Sequence, residues 1–78
     1  MNFFMTVASK TTKENARMCV ESAIIPLESA LGALNILLNK KEFREAMSDD
    51  EEIDIGLSRA KVEKIISLIN EVSFDLSK

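Results

Sequence analysis

The most regular hydrophobic pattern in the chain lies between positions 16 and 38, where apolar residues recur at alternating spacings of four and three. This spacing places one apolar stripe along an α-helix, as in helices that pack against a partner helix. The stripe consists of Ala16, Val20, Ala23, Leu27, Ala30, Leu34 and Leu37. A second column, formed by Ile24, Leu31 and Leu38, makes the apolar surface wide enough to predict a helical bundle.

A second heptad pattern runs through the C-terminal third of the chain. Its members are Ile55, Ser58, Val62, Ile65, Ile69, Val72 and Leu76, with charged residues on most other positions. The two patterns predict an all-α fold, a helical hairpin. We expect a long first helix over about residues 12–47 and a second helix that begins near residue 50 or near residue 57 and ends at about residue 77.

Local signals set the expected ends of the first helix. Thr11 and Thr12 precede Glu14, which is the spacing of a capping box, so the helix is predicted to start there. Pro26 has no amide hydrogen to donate within the helix. Because the heptad keeps its register across Pro26, we expect a kinked but continuous helix. The alternative is a complete break at Pro26, which would give a compact three-helix monomer.

Residues 48–56 form the most acidic window and are predicted to contain the turn between the helices. Their spacing does not fit an EF-hand that starts at Asp50, because Ile55 and Lys61 would occupy the glycine and closing glutamate positions. Ser48 followed by Glu51 instead predicts a capping box, with carboxylates at the positive end of a helix dipole.

Residues 1–10 show no helical period, and they are predicted to form an N-terminal arm of a single 78-residue domain. A first helix ending near residue 47 would be longer than the second by roughly 20 Å, at 1.5 Å per residue. Its first half would then lack a covering helix within the chain. We therefore expect a homodimer that closes a four-helix bundle, with the dimer interface at Val20, Ala23, Ile24, Leu27 and Leu31.

Composition narrows the chemistry that the chain can perform. Cys19 is the single cysteine and there is no histidine, so neither an internal disulfide nor an imidazole metal ligand is available. No pairing of a nucleophile with a base is recognisable, and we expect no cofactor, no metal and no enzymatic activity. The net charge of −3 argues against a general affinity for nucleic acid or anionic membranes.

The expected function is therefore that of a cytoplasmic, homodimeric protein–protein interaction module of the adaptor, regulator or inhibitor type. Its unidentified protein partner is expected to bind apolar and acidic residues outside the predicted core. These are Phe3, Phe4, Phe43, Phe74, Asp49, Asp50, Glu51 and Glu52. The alternative is a regulator that associates with nucleic acid through basic residues near the turn, namely Lys40, Lys41, Arg44, Arg59, Lys61 and Lys64.

Overall fold

A computed structural model describes the backbone of residues 2–78 and the side chains of residues 11–78. The described chain is 93% helical, has no strand and consists of three helices. These are α1 (Asn2–Asn39), α2 (Lys41–Ala46) and α3 (Asp49–Leu76). The all-α fold is confirmed, and the two long helices correspond to the two heptad patterns.

The start of α1 differs from the prediction. The helix begins at Asn2, so the backbone of residues 2–10 continues the helix and does not form a separate arm. Thr11 and Thr12 therefore lie inside α1 and not at its N-cap. A local capping signal is overridden when the residues before it also adopt helical backbone angles.

The helix runs through Pro26 without interruption, which confirms the continuous helix and contradicts a three-helix monomer that breaks at this residue. Pro26 leaves the Ser22 carbonyl without its helical hydrogen bond, but this is the loss of one bond in a 38-residue helix, and the helix continues. The Ser22 hydroxyl donates to the Cys19 carbonyl at 2.6 Å, one turn before the proline.

The first helix ends earlier than predicted, at Asn39. Lys40 takes an extended backbone conformation, with ψ at 119°, and starts the short helix α2. Met47, with ψ at 148°, ends α2 one residue before the N-cap of α3. The reversal therefore spans residues 40–48, and the acidic segment predicted as the turn belongs mostly to the first turns of α3.

The start of α3 at Asp49 confirms the earlier of the two predicted positions. The Glu51 amide donates to the Ser48 hydroxyl at 3.1 Å, and the Ser48 amide donates to the Glu51 carboxylate at 2.9 Å. Both bonds of the predicted capping box are thus present. Asp49 and Asp50 complete an acidic first turn that complements the helix dipole.

Helices α1 and α3 run antiparallel and pack along most of the length of α3. Near the open end of the hairpin, the Ser73 hydroxyl donates to the Glu21 carboxylate at 3.1 Å. The molecule measures 64 × 15 × 14 Å, so it is about two helices across and no helix is enclosed. None of residues 11–78 is buried, and the residues between α1 and α3 are half-buried at most.

The stripe that joins the two helices is rotated relative to the predicted one. On α1 the half-buried apolar positions are Val20, Ile24, Leu27, Leu31, Leu34, Leu37 and Leu38, whereas Ala16, Ala23 and Ala30 are exposed. On α3 the half-buried positions include Ile55, Val62, Ile66, Ile69, Ser73 and Leu76, whereas Ser58, Ile65 and Val72 are exposed. In each helix the contact has shifted by one heptad column, about 50° at 3.5 residues per turn.

Helix α3 covers more of α1 than predicted. Helix α3 has 28 residues and reaches α1 as far as Glu21 and beyond, so it covers the part of α1 predicted to be bare. Val20 and Ile24 are consequently half-buried within the chain.

Candidate interaction surfaces

One side of the hairpin presents the exposed members of both predicted heptads. Because α1 and α3 run antiparallel, the heptad column that comes just before the contact stripe in one helix lies on the same side of the hairpin as the corresponding column in the other. Within residues 16–37 of α1 and 58–72 of α3, the columns next to the stripes on that side carry no charge. They consist of Ala16, Ala23, Ala30 and Leu37 from α1 and Ser58, Ile65 and Val72 from α3, and we call them the apolar face. Leu37 is half-buried, and the other members are exposed.

Side chains on the apolar face remain substantially accessible to solvent. Ile65 is 42% exposed and Val72 is 48% exposed, and Leu68 at the edge of the face is 49% exposed. Apolar area of this kind favours association because its removal from water contributes about 25 cal/mol per Å². The face is about 32 Å long on α1 and about 21 Å long on α3, at 1.5 Å per residue, and two helices wide.

The opposite side of the hairpin is polar. Its α1 column is Glu21, Glu28 and Asn35, and its α3 column includes Glu63 and Asn70. Arg17 reaches Glu21 at 3.1 Å, and Arg59 reaches Glu63 at 3.7 Å. This side is therefore suited to contact with water, and the hairpin as a whole is amphipathic.

The five predicted dimer residues divide between two environments. Val20, Ile24, Leu27 and Leu31 lie in the half-buried stripe that faces α3, and Ala23 lies on the apolar face. The first four are thus already used within the chain. Residues of α3, chiefly Ile65 and Val72, complete the exposed surface that the sequence assigned to α1 alone.

The predicted partner-binding phenylalanines are far apart. Phe43 is in α2, 38% exposed, and Phe74 is in the last turn of α3, 63% exposed. The amine of Lys40 lies 5.0 Å from the Phe43 ring centre, and that of Lys78 lies 4.8 Å from the Phe74 ring centre. The side chains of Phe3 and Phe4 fall outside the described residues.

The four predicted acidic residues begin α3. Glu52 is half-buried, and with Asp49 and Arg59 it lines an open groove of ≈ 630 Å³ on the polar side of the turn. Glu51 is turned back to Ser48 in the capping box. The hydrogen bond from the Ser48 amide, followed by that with the Ser48 side chain, holds the pKa of the Glu51 carboxyl below its ordinary value.

Two of the six basic residues near the turn pair with acidic ones. Lys41 lies 3.8 Å from Glu45, and Arg59 lies 3.7 Å from Glu63. Lys40 lies over the Phe43 ring. A surface that binds a phosphate backbone needs clustered basic side chains with few acidic side chains among them. The ion pairs near the turn therefore give the nucleic-acid alternative little support.

Candidate chemistry is sparse over the described residues. Cys19 is exposed on α1, and no three histidine, cysteine or carboxylate side chains within residues 11–78 are grouped so as to hold a metal ion. One segment, Thr11–Asn39, is long and apolar enough to cross a membrane by length and composition.

Comparison with known proteins adds no relative. No protein-family description, curated protein or solved structure matches the chain.

Proposed function

We propose that this chain is a small helical interaction protein, without catalytic activity, that acts as a homodimer. Two hairpins close a four-helix bundle through their apolar faces, and the dimer binds another protein with its remaining exposed apolar and acidic residues. The observation that carries the proposal is that α1 is apolar around most of its circumference although none of residues 11–78 is buried.

A helix that is apolar on several sides belongs in an interior with several neighbours. Around α1, only the column of Glu21, Glu28 and Asn35 is polar over two full turns of the heptad. The hairpin supplies one neighbour, α3. A second hairpin on the apolar face would supply another, and it would give Ala23 and Ala30 the contacts that they lack.

The direction of the heptads supports the same arrangement. In a four-helix bundle each helix directs its apolar stripe toward the bundle centre, between its two neighbours and about 45° from each. The most regular heptads of α1 and α3 are each turned by about 50° from the contact between them, and both are turned toward the apolar face. A second hairpin on this face would bring both heptads to the centre of a bundle.

Light scattering coupled to size exclusion at micromolar concentration tests the dimer. We expect a mass of twice the 8.7 kDa of the chain. A fully helical protein with the mass of one chain would overturn the proposal. Circular dichroism on the same fractions establishes the helicity.

Partner binding is proposed for surfaces that a second hairpin would leave open. Met18, Ile25 and Ile36 lie on the side of α1 away from the apolar face and are 59%, 72% and 56% exposed. The acidic start of α3 lies at the turn, where a basic segment of a partner would find opposite charge. These two surfaces fit a partner helix with apolar and basic side chains.

Affinity capture from a lysate of the source organism, read by mass spectrometry, tests this part. Ile25→Asp should lower the recovery of a bound protein at least severalfold, because it places a charge on the exposed side of α1. Ser67→Ala, an exposed change on α3, is the control and should not alter recovery. Equal recovery with Ile25→Asp, or none above a tag-only sample, would contradict binding at this surface.

A second candidate is a membrane-anchored protein, favoured by the length and apolar composition of Thr11–Asn39. In that state α1 would cross the bilayer and lose its contact with α3, whose charged residues cannot accompany it. Flotation with lipid vesicles separates the two accounts. The homodimer is expected in the dense fraction, and flotation that resists alkaline extraction would favour the anchor.

The nucleic-acid alternative is tested by electrophoretic mobility shift at low salt. Phosphate contacts would give binding that weakens steeply with salt. We expect no shift, because acidic residues accompany the basic ones around the turn.

A further inference from the structure

We infer that two copies of the chain pack their apolar faces together with both turns at the same end, so that each α1 faces the α3 of its partner. This orientation rests on the proposed homodimer. Twofold symmetry allows one other arrangement, in which the turns lie at opposite ends and α1 faces the partner's α1. The side chains of the apolar face distinguish the two.

The hydrogen bond between Ser73 and Glu21 sets the register of the hairpin. Counting one residue up α1 for each residue down α3 from this pair gives the residues that lie at the same height to within one residue, about 1.5 Å. Three levels of the apolar face follow, and each joins a small side chain to a large one. The levels are Ala23 with Val72, Ala30 with Ile65, and Leu37 with Ser58.

With both turns at one end, the twofold axis runs parallel to the helices. Each level of one hairpin then lies opposite the same level of its partner. Ala30 then faces the partner's Ile65, and Leu37 faces the partner's Ser58. Large side chains meet small ones at every level, which allows the layers to interdigitate at interior density. With the turns at opposite ends, all three levels overlap only if the axis passes through the middle level, and this would set Ala30 against Ala30 and Ile65 against Ile65 of the partner.

The area of the face is sufficient for a stable dimer. A face about 32 Å long on α1 and about 21 Å long on α3, with each helix about 10 Å wide, offers roughly 550 Å² per chain, or about 1,100 Å² in total. This exceeds the roughly 1,000 Å² that a biological interface should bury. A second copy of this chain therefore fits the face in length, width and the alternation of its side chains.

Charge opposes this orientation, but weakly. Residues 40–63 contain five basic and eight acidic side chains, and the inferred orientation brings two such ends together. Because the Debye length at physiological salt is about 8 Å, most of this repulsion between exposed charges is screened. The dimer should tighten by roughly two- to fivefold as salt rises from low to physiological concentration.

Distances between spin labels test the orientation. In a Cys19→Ser background, Ala46→Cys places a label at the turn and Lys13→Cys places one at the open end of the hairpin. With the turns at one end, each label should lie about 15–25 Å from its copy, given helices 8–10 Å apart. With the turns at opposite ends, each distance should be about 40 Å or more.

Three results are distinguishable. Short distances for both labels, with circular dichroism unchanged, support the inferred orientation. Long distances for both labels overturn the orientation and retain the homodimer. No dipolar signal from either label, together with the mass of one chain, overturns the proposed homodimer itself.

Discussion

Ser48 shows how a single side chain decides where the second long helix begins. Its hydroxyl and amide both bond to Glu51 across the first turn of α3. The acidic residues that follow are favoured there by the free amide hydrogens and the helix dipole. Residues 48–52 thus act as a helix start, and their charge has a structural use in addition to any role in binding.

Ser48→Ala should lower the free energy of unfolding by about 1 kcal/mol, because it removes the acceptor for the Glu51 amide. Urea unfolding followed by circular dichroism at a fixed protein concentration measures the change. Ser67→Ala, within α3 and exposed, is the matched control and should be neutral or slightly stabilising. An equal loss in both variants would show that the cap contributes nothing.

Glu51 gives the capping box a pH dependence. Its folded-state pKa is lowered by the hydrogen bonds with Ser48, so its ionised form stabilises the helix above the unfolded-state pKa, about 4.3. That stabilisation is lost as pH falls through the folded pKa. Wild type should therefore be more stable than Glu51→Gln at pH 7, and the difference should shrink below pH 4. A difference independent of pH would contradict this origin.

At the scale of the element, α1 tolerates a proline because its other hydrogen bonds and its packing on α3 maintain the helix. Pro26 lies on an exposed position in the column of Cys19 and Ala33, adjacent to the apolar face. Its ring faces solvent and leaves the stripe that contacts α3 intact. The heptad register is accordingly preserved on both sides of it.

Pro26→Ala should raise the free energy of unfolding by about 1–3 kcal/mol, because it restores the amide hydrogen that the Ser22 carbonyl lacks. Thermal and urea unfolding at one protein concentration provide the measurement. Ala33→Pro, one heptad later in the same column, is the matched reverse change and should cost about 3 kcal/mol or more. Destabilisation by Pro26→Ala would indicate that the proline ring itself makes a contact.

At the scale of the whole molecule, two helices cannot enclose a core. The half-buried stripe between α1 and α3 is the only contact between long helices in the described chain, and the apolar face lies beside it. Domains of this size rarely gain more than about 3–5 kcal/mol from their own core. Association on the apolar face would add the missing burial.

Ala30→Glu should separate the dimer into monomers, because it places a carboxylate in the middle of the apolar face. Ala30 is exposed in the single hairpin, so the contact between α1 and α3 is untouched. Ser29→Glu adds the same charge one residue away on the outward side and should leave the dimer intact. Equal masses for the two variants by light scattering would refute the assignment of the face.

The helical fold and several local features are readable from the sequence. The heptads predict two long helices, the register across Pro26 predicts a continuous first helix, and Ser48 with Glu51 predicts the start of α3. The break at Lys40 carries no glycine or proline signal and was not predictable. The candidate surface was recognised only in part, because Ile65 and Val72 were placed in the heptad expected to pack within the bundle, and the sequence does not show that the contact with α1 uses another column.

The periodicity of the sequence is enough to identify which sides of the helices are apolar, because it marks every position whose side chain avoids water. It does not record which partner covers each position. In the folded chain α3 covers two neighbouring columns of α1, those of Val20 and Ile24, and leaves Ala23 and Ala30 exposed. The length of α3 and the reversal over residues 40–48 produce this arrangement. The hydrophobicity of a side chain does not specify which neighbouring element will bury it, because the hydrophobic effect is non-directional. The packing of the helices places each column against a particular neighbour.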